Sequence, residues 1–216
     1  MNAHDPIRIV RDGYDQLETR YGEWSDEVPR GYRTTFLNEV LKVVPTGSDV
    51  LEVGCGPGTD AASLSAGRRY IGVDVSMAQL TIARRHHPHL TLINADVLEI
   101  EFQPNSFDAI VAIYVFGHIP AGRIGELFTR TGSWLRPGGW LCASFAVSDD
   151  TGAVEPSWLG VEMYFSSLPP EQNDRLLRSA GFRIRSAETI TEIEPGHGPA
   201  TFRWVIARRT EEAAAG

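Results

Sequence analysis

The sequence is short of cysteine. Only Cys55 and Cys142 occur among its 216 residues. Two isolated cysteines exclude a disulfide framework and provide no spacing typical of a metal site. Proteins that use cysteine in this way usually stay in a reducing compartment, so we expect a cytoplasmic protein.

Long apolar stretches are also missing. No segment approaches the roughly 18 consecutive apolar residues that a transmembrane helix requires. The first six residues, MNAHDP, lack the basic, apolar and small-residue layout of a signal peptide. We therefore predict neither a signal peptide nor a membrane partner.

Positive charge is in deficit, because the formal net charge is −8. Nucleic-acid backbones are bound by clustered lysines and arginines, and the arginine pairs at 68–69, 84–85 and 208–209 are short and scattered. We therefore expect no nucleic-acid partner. Hydrophobic residues make up 42% of the chain, which is enough for one domain with an added cap.

The hydrophobic pattern divides the chain into three parts. Residues 1–44 carry two helical patterns, at 5–22 and 30–43, which predict an N-terminal cap or substrate wall. Residues 45–148 alternate strands and helices, which predicts an α/β fold with a doubly wound parallel sheet. Residues 149–216 hold a loop-like lid at 149–168, a helix and an antiparallel strand pair that completes the same domain. The strands of the sheet are predicted at 49–53, 70–73, 90–93, 107–113, 140–146, 182–193 and 201–208, and the remaining helices at 59–65, 76–86, 121–135 and 169–180.

Three glycines, Gly54, Gly56 and Gly58, follow the first predicted strand. Ligands of open parallel sheets bind beyond the carboxyl ends of the strands, and glycine lets a ligand approach the backbone closely. The loop alone is compatible with an empty turn or with a nucleotide cofactor. Residues 56–61 also match the dinucleotide pattern G-x-G-x-x-A, which leaves a nicotinamide or flavin enzyme as an alternative.

Three features argue against a dinucleotide. Counted from Gly54, the spacing is G-x-G-x-G, with Thr59 at the last fingerprint position. Glu52 precedes the glycines, where a carboxylate opposes a pyrophosphate but favours a cofactor with an ammonium group. Two acids, Asp74 and Asp96, follow strands where a dinucleotide site needs one.

Five segments in order resemble the motifs of class I S-adenosylmethionine-dependent methyltransferases of the small-molecule type. They are residues 51–58 (LEVGCGPG), 72–76 (GVDVS), 94–97 (NADV), 107–110 (FDAI) and 135–139 (LRPGG). Each is common by chance, but all five in this order are specific. The resemblance covers residues 49–145, a little under half of the chain.

The resemblance implies a seven-stranded Rossmann-like sheet of order 3-2-1-4-5-7-6, with the last strand antiparallel. It implies S-adenosyl-L-methionine as cofactor, with Asp74 on the ribose hydroxyls and Asp96 on the adenine amino group. A helix-capping role is the alternative for each aspartate. The residues expected to bind the cofactor are Tyr14, Glu52, Gly54, Cys55, Gly56, Asp74, Val75, Asp96, Val97 and Ile113.

His118 is the candidate catalytic residue. It follows the fourth predicted strand, on the side of the sheet where the methyl group should point. A base or substrate-orienting role competes there with simple capping of the next loop. His197, in the predicted loop between the last two strands, is a weaker candidate for the same role. Glu162 and Tyr164 are candidates for the substrate wall, with lid packing as the alternative.

No metal is expected. The acids at 149–150 lack a partner acid after the fourth strand, and hard cations need several converging oxygens. The run His86-His87-Pro88-His89 ends a helix, where histidine is favourable against the helix dipole.

The acceptor is predicted to be a small molecule methylated on O, N or C. The chain lacks the Asn-Pro-Pro-Tyr type of sequence found in enzymes that methylate DNA amino groups or glutamine amides. Aromatic residues at 5–43 and 149–168 suit apolar or planar acceptors. The alternatives are an NAD(P)-dependent oxidoreductase and a non-catalytic S-adenosylmethionine-binding partner protein, and the pattern leaves the oligomeric state open.

Overall fold

A seven-stranded sheet forms the centre of the computed structural model, which describes residues 5–28, 31–148 and 151–211. The strands in chain order are β1 Asp49–Val53, β2 Arg69–Asp74, β3 Thr91–Asn94, β4 Phe107–Ala112, β5 Leu135–Ala146, β6 Ala153–Trp158, β7 Val161–Phe165, β8 Phe182–Glu194 and β9 Gly198–Arg209. The order in the large sheet is β3-β2-β1-β4-β5-β9-β8. Strands β1 to β5 pair in parallel, and β9 runs antiparallel to β5 and β8. The predicted fold class and strand arrangement are therefore confirmed.

Helices cover both faces of this sheet. They are α1 Pro6–Leu17, α2 Thr19–Glu27, α3 Gly31–Val43, α4 Ala61–Ser65, α5 Met77–His86, α6 Ile124–Trp134 and α7 Pro170–Ser179. Phe128 of α6 belongs to the core on one face, and Phe36 of α3 packs against Trp204 of β9 on the other. Ile110 and Val111, neighbours on β4, are both fully buried on opposite faces. This burial explains why β4 is apolar almost throughout.

The predicted helix at 5–22 is two helices in the structure. Glu18 separates α1 from α2 and has a φ of 48°, which an L-residue rarely adopts. Its carbonyl accepts a hydrogen bond from Gln79 Nε2 of α5 at 2.9 Å. The break therefore coincides with a tertiary contact that local periodicity does not encode.

The segment predicted as a loop at 149–168 contains the antiparallel hairpin β6–β7, and residues 149–150 lie outside the described residues. Because of this hairpin, the sixth and seventh predicted strands of the large sheet are β8 and β9 in the structure. Its two-residue turn is Leu159-Gly160, with φ of 49° and 84°. Turns of this kind usually carry Asn-Gly or Asp-Gly, so a leucine at the first position hides the hairpin from sequence analysis.

None of the helices in the described ranges has the length and apolar character needed to cross a membrane. Cys55 and Cys142 are both free and buried.

Candidate active site

The glycine loop after β1 depends on backbone conformations that favour glycine. Gly54, Gly56 and Gly58 have φ of 65°, 51° and 85°. A Cβ on Gly54 would lie 2.3 Å from the Val115 side chain, so a larger residue there would displace the loop after β4. The Gly56 amide donates a hydrogen bond of 2.8 Å to Asp74 at the end of β2. The loop and the strand-end acid therefore form one unit.

Two acids at strand ends line the same cavity. The Asp74 carboxylate accepts from the amides of Gly56 and Ser76, both at 2.8 Å, and burial raises its pKa to about 6. Asp96, after β3, accepts from the Leu98 amide at 2.8 Å, and burial also raises its pKa. A carboxylate has about four acceptor positions, so both groups can bind further donors.

The cavity beside these acids opens to solvent and spans about 710 Å³ of non-protein space, open solvent included. Of the predicted cofactor and catalytic residues, nine line it: Tyr14, Gly54, Gly56, Asp74, Val75, Asp96, Val97, Ile113 and His118. Sequence analysis missed Gln79, which lies in the first turn of the helix after Asp74. Val115 and Ile119 were also missed, because the only sequence feature that points to them as cavity residues is their position after β4.

The described side chains of Glu52 and Cys55 do not line this cavity. Glu52 is buried and accepts a hydrogen bond from the Tyr70 hydroxyl. Burial, together with the nearby Asp60 carboxylate, raises the pKa of Glu52 to about 8. The Cys55 sulfur packs under the loop, where it would lie 2.8 Å from a Cβ placed on Gly72. Their direct part in cofactor binding therefore stays a prediction.

His118 lies in a short 3₁₀ turn after β4 and is hydrogen-bonded on both ring nitrogens. Nδ1 lies 2.9 Å from the carbonyl oxygen of Tyr164, which can only accept, so Nδ1 carries the proton. Burial lowers the pKa of His118, so the ring is neutral near pH 7. Nε2 then accepts from the Tyr14 hydroxyl, also at 2.9 Å.

A second cavity, of about 1290 Å³ of non-protein space, adjoins the first. The two share four lining residues: Tyr14, Tyr21, Tyr114 and His118. The outer walls come from α2, from the hairpin β6–β7 and from the turn between β8 and β9. Trp24 of α2 donates its indole N–H to the Pro195 carbonyl in that turn at 3.1 Å. The Tyr14–His118 pair therefore lies on the boundary between two chambers.

The weaker candidates are dispersed. His197 lines the second cavity. Glu162 is exposed, and Tyr164 is buried among aromatic residues. His87 lies 3.1 Å from the Gly58 carbonyl through Nε2, which makes it a support of the glycine loop. Within the described parts of the chain, no three acids, histidines or cysteines come together as a metal site, and Asp149 and Asp150 fall outside them.

Comparisons with known proteins find methyltransferases among the relatives of this chain. A family model described as a methyltransferase domain matches residues 50–139. A phthiotriol/phenolphthiotriol dimycocerosates methyltransferase of Mycobacterium leprae is 28% identical, over 84% of this chain and 67% of that protein. Methyltransferase GfsG of Streptomyces halstedii is 28% identical, over 89% of this chain and 79% of the relative. Other curated relatives are covered over 66%, 45% and 58% of their own length, so the chain spans about half to two thirds of these proteins.

Solved structures show the same fold. The DhpI–SAH complex aligns with a TM-score of 0.76 over 97% of this chain and 99% of that one, at 19% identity. Fold, motif order and family model together define a class I methyltransferase fold. These findings support a class I S-adenosylmethionine-dependent methyltransferase with S-adenosyl-L-methionine as its cofactor. They favour the methyltransferase over the dinucleotide alternative.

The lining of the first cavity fits that cofactor chemically. A ribose diol and an adenine amino group are donors, and Asp74 and Asp96 present acceptors beside the loop. Val97 and Ile113 add apolar surface that suits a planar base. The buried carbonyl oxygen of Gln79 has no hydrogen-bond partner within the described chain, so it provides a further acceptor for a donor group of the cofactor.

Proposed function

We propose that this protein transfers the methyl group of S-adenosyl-L-methionine to an O, N or C atom of a small-molecule acceptor held in the second cavity. The observation that carries the proposal is the junction of two chambers at Tyr14 and His118. Methyl transfer requires donor and acceptor to meet in line with water excluded, and adjoining chambers with a shared wall suit that requirement.

The cofactor supplies a methyl group on a positively charged sulfur, which is a good leaving group. Asp74 would hold the ribose hydroxyls and Asp96 the adenine amino group. The glycine loop would allow close approach of the cofactor to the backbone at Gly54 and Gly56. These assignments are supported by the shared cavity and by the free acceptor positions of both carboxylates.

His118 would take the proton of the acceptor or orient it. Its neutral ring has Nδ1–H fixed on the Tyr164 carbonyl, which directs the Nε2 lone pair to the chamber boundary. The Tyr14 hydroxyl now occupies that lone pair, so an acceptor hydroxyl or amine would replace or share this contact. A base so placed is useful when the acceptor proton is still present at attack.

The lining of the second cavity supports an apolar or planar acceptor. Its walls carry Trp24, Trp158 and Phe165, and its cation Arg33 is already paired with Asp60 at 2.8 Å. A chamber with aromatic walls and a neutralised cation is poorly suited to a nucleic-acid strand. We therefore propose a small molecule as the partner.

The test has two stages. Calorimetry should detect S-adenosylhomocysteine binding and no comparable NAD(P) binding. Mass spectrometry should then find a methylated product from a panel of phenols, amines and enolisable ketones, incubated with S-adenosylmethionine. Tight NAD(P) binding without S-adenosylhomocysteine binding would refute the proposal. Firm cofactor binding with no product across a broad panel would favour a non-catalytic binding partner.

A further inference from the structure

Gln79 is a buried residue whose side-chain carbonyl oxygen lacks a hydrogen-bond donor among the described residues. It lies in the first turn of α5, is 1% exposed and lines the first cavity. Its carbonyl oxygen Oε1 is buried and has no hydrogen-bond partner within the described part of the chain. A buried acceptor without a donor destabilises the folded protein, so a ligand that supplies a donor would recover this cost.

The orientation of this amide is fixed by its other end. Nε2 donates to the carbonyl of Tyr14 at 3.2 Å and to that of Glu18 at 2.9 Å. Both partners can only accept, so exchanging the nitrogen and oxygen of Gln79 would face oxygens against oxygens. Oε1 must therefore find its donor elsewhere.

The carbonyls held by Gln79 belong to the end of α1 and to the break before α2. Glu18 has its unusual φ of 48° at that break. Asp15, on the same helical turn, accepts from Ser76 Oγ at 2.6 Å and from the Ala78 amide at 3.0 Å. The end of α1 is thus attached to the first turn of α5, directly after Asp74. Tyr14, whose hydroxyl meets His118, is positioned by this attachment.

We propose that Gln79 is a positioning residue that accepts a hydrogen bond from a ribose hydroxyl of the bound cofactor and thereby couples cofactor binding to the placement of α1 and Tyr14. The ribose hydroxyls are the expected donors, because Asp74, which is proposed to hold the ribose, lies five residues before Gln79 and lines the same cavity. The inference rests on the proposed function, in that it needs the cofactor in this cavity. The consequence is that cofactor binding should stabilise the wall shared with the acceptor chamber.

The direct contact is tested by a cycle of variants and ligands. Dissociation constants of S-adenosylhomocysteine and of its 2′-deoxy and 3′-deoxy analogues are measured for the wild type and for Gln79→Met. We expect Gln79→Met to weaken S-adenosylhomocysteine binding about tenfold. For one of the two analogues the loss should be at least about threefold smaller, because the partner hydroxyl is already gone. Thr81→Ala, an exposed change on the same helix, is the control. Equal losses for all three ligands would overturn the contact.

The coupling is tested by hydrogen exchange of the amides at 6–27 with saturating S-adenosylhomocysteine. The wild type should gain protection there, and Gln79→Met should not. Gln79→Glu keeps an oxygen but loses the NH₂ group, so it should bind more tightly than Gln79→Met and also lack the protection. Protection equal to wild type in both variants would overturn the coupling. A wild type that binds no S-adenosylhomocysteine would instead contradict the proposed function.

Discussion

The two cavities are built in different ways. The first cavity, the proposed cofactor chamber, takes its polar groups from strand ends: Gly54 follows β1, Asp74 ends β2 and Asp96 follows β3. The second cavity, the proposed acceptor chamber, depends on contacts between segments far apart in sequence. Tyr14 meets His118 across 104 positions, and Trp24 meets Pro195 across 171.

The difference fits what each chamber is proposed to recognise. A parallel sheet brings the carboxyl ends of its strands to one edge, so a few short motifs suffice to bind a cofactor of fixed chemistry. The acceptor chamber is closed by three additions to the sheet, namely α1–α2, the hairpin β6–β7 and the turn between β8 and β9. Such additions can change the acceptor without disturbing the cofactor site.

The largest effect is expected from a substitution at the boundary between the two chambers. His118→Ala should lower turnover about 100-fold, because general-base assistance typically contributes that much or more. Affinity for S-adenosylhomocysteine should change by less than about threefold, since Asp74 and Asp96 remain. Initial rates with any acceptor found in the panel, together with calorimetry, provide both values.

The control for this experiment is His86→Ala, an exposed histidine on α5. It should leave both quantities unchanged. If His118→Ala retains wild-type turnover, His118 serves only to hold the loop after β4 to the Tyr164 carbonyl.

Asp74→Ala should act on the other chamber alone. We expect S-adenosylhomocysteine to bind about 10- to 100-fold more weakly, from the loss of hydrogen bonds to a charged acceptor. Asp12→Ala, an exposed acid on α1, is the matched control. Unchanged affinity in Asp74→Ala would show that the ribose is held elsewhere.

The pH dependence separates the two chambers further. Because the pKa of Asp74 is raised to about 6, the carboxylate becomes protonated below that pH and loses acceptor capacity. Cofactor affinity should therefore fall as pH drops below about 6, by up to about tenfold per pH unit. Calorimetry of S-adenosylhomocysteine at several pH values should show this slope in the wild type and a flatter one in Asp74→Asn. Equal slopes would contradict the role of Asp74.

The same raised pKa acts on folding with the opposite sign. The folded cofactor-free protein binds this proton more tightly than the unfolded chain. The stability that Asp74 contributes is therefore present at low pH and is lost as pH rises through about 6. The difference in free energy of unfolding between wild type and Asp74→Asn should follow this direction.

The smallest effect concerns closure of the acceptor chamber. Trp24→Phe keeps an aromatic ring but removes the N–H bond to the Pro195 carbonyl. The free energy of unfolding should fall by about 1 kcal/mol, with cofactor affinity unchanged. Denaturant unfolding and calorimetry measure the two quantities. A large loss of cofactor affinity would show that the chambers are not separable.

The sequence predicts most where local pattern and parallel-sheet topology coincide. The strand order, the glycine loop and the positions of the strand-end acids Asp74 and Asp96 were all predictable. The break at Glu18, which coincides with a tertiary hydrogen bond, was not predictable, and neither was the turn Leu159-Gly160, whose residues are atypical of hairpins. Gln79 was also missed, because a helical glutamine has no local feature that marks a buried, unpartnered oxygen.

The sequence by itself determined the cofactor chamber, because the motif residues follow directly on the strands that the sheet aligns. Only the tertiary structure decided that Tyr14 meets His118, and that Glu52 and Cys55 turn away from the cavity wall. The physical reason is distance along the chain. Contacts within a strand and its loop are imposed by local geometry, whereas contacts between α1, the loop after β4 and the last hairpin exist only after the sheet has formed.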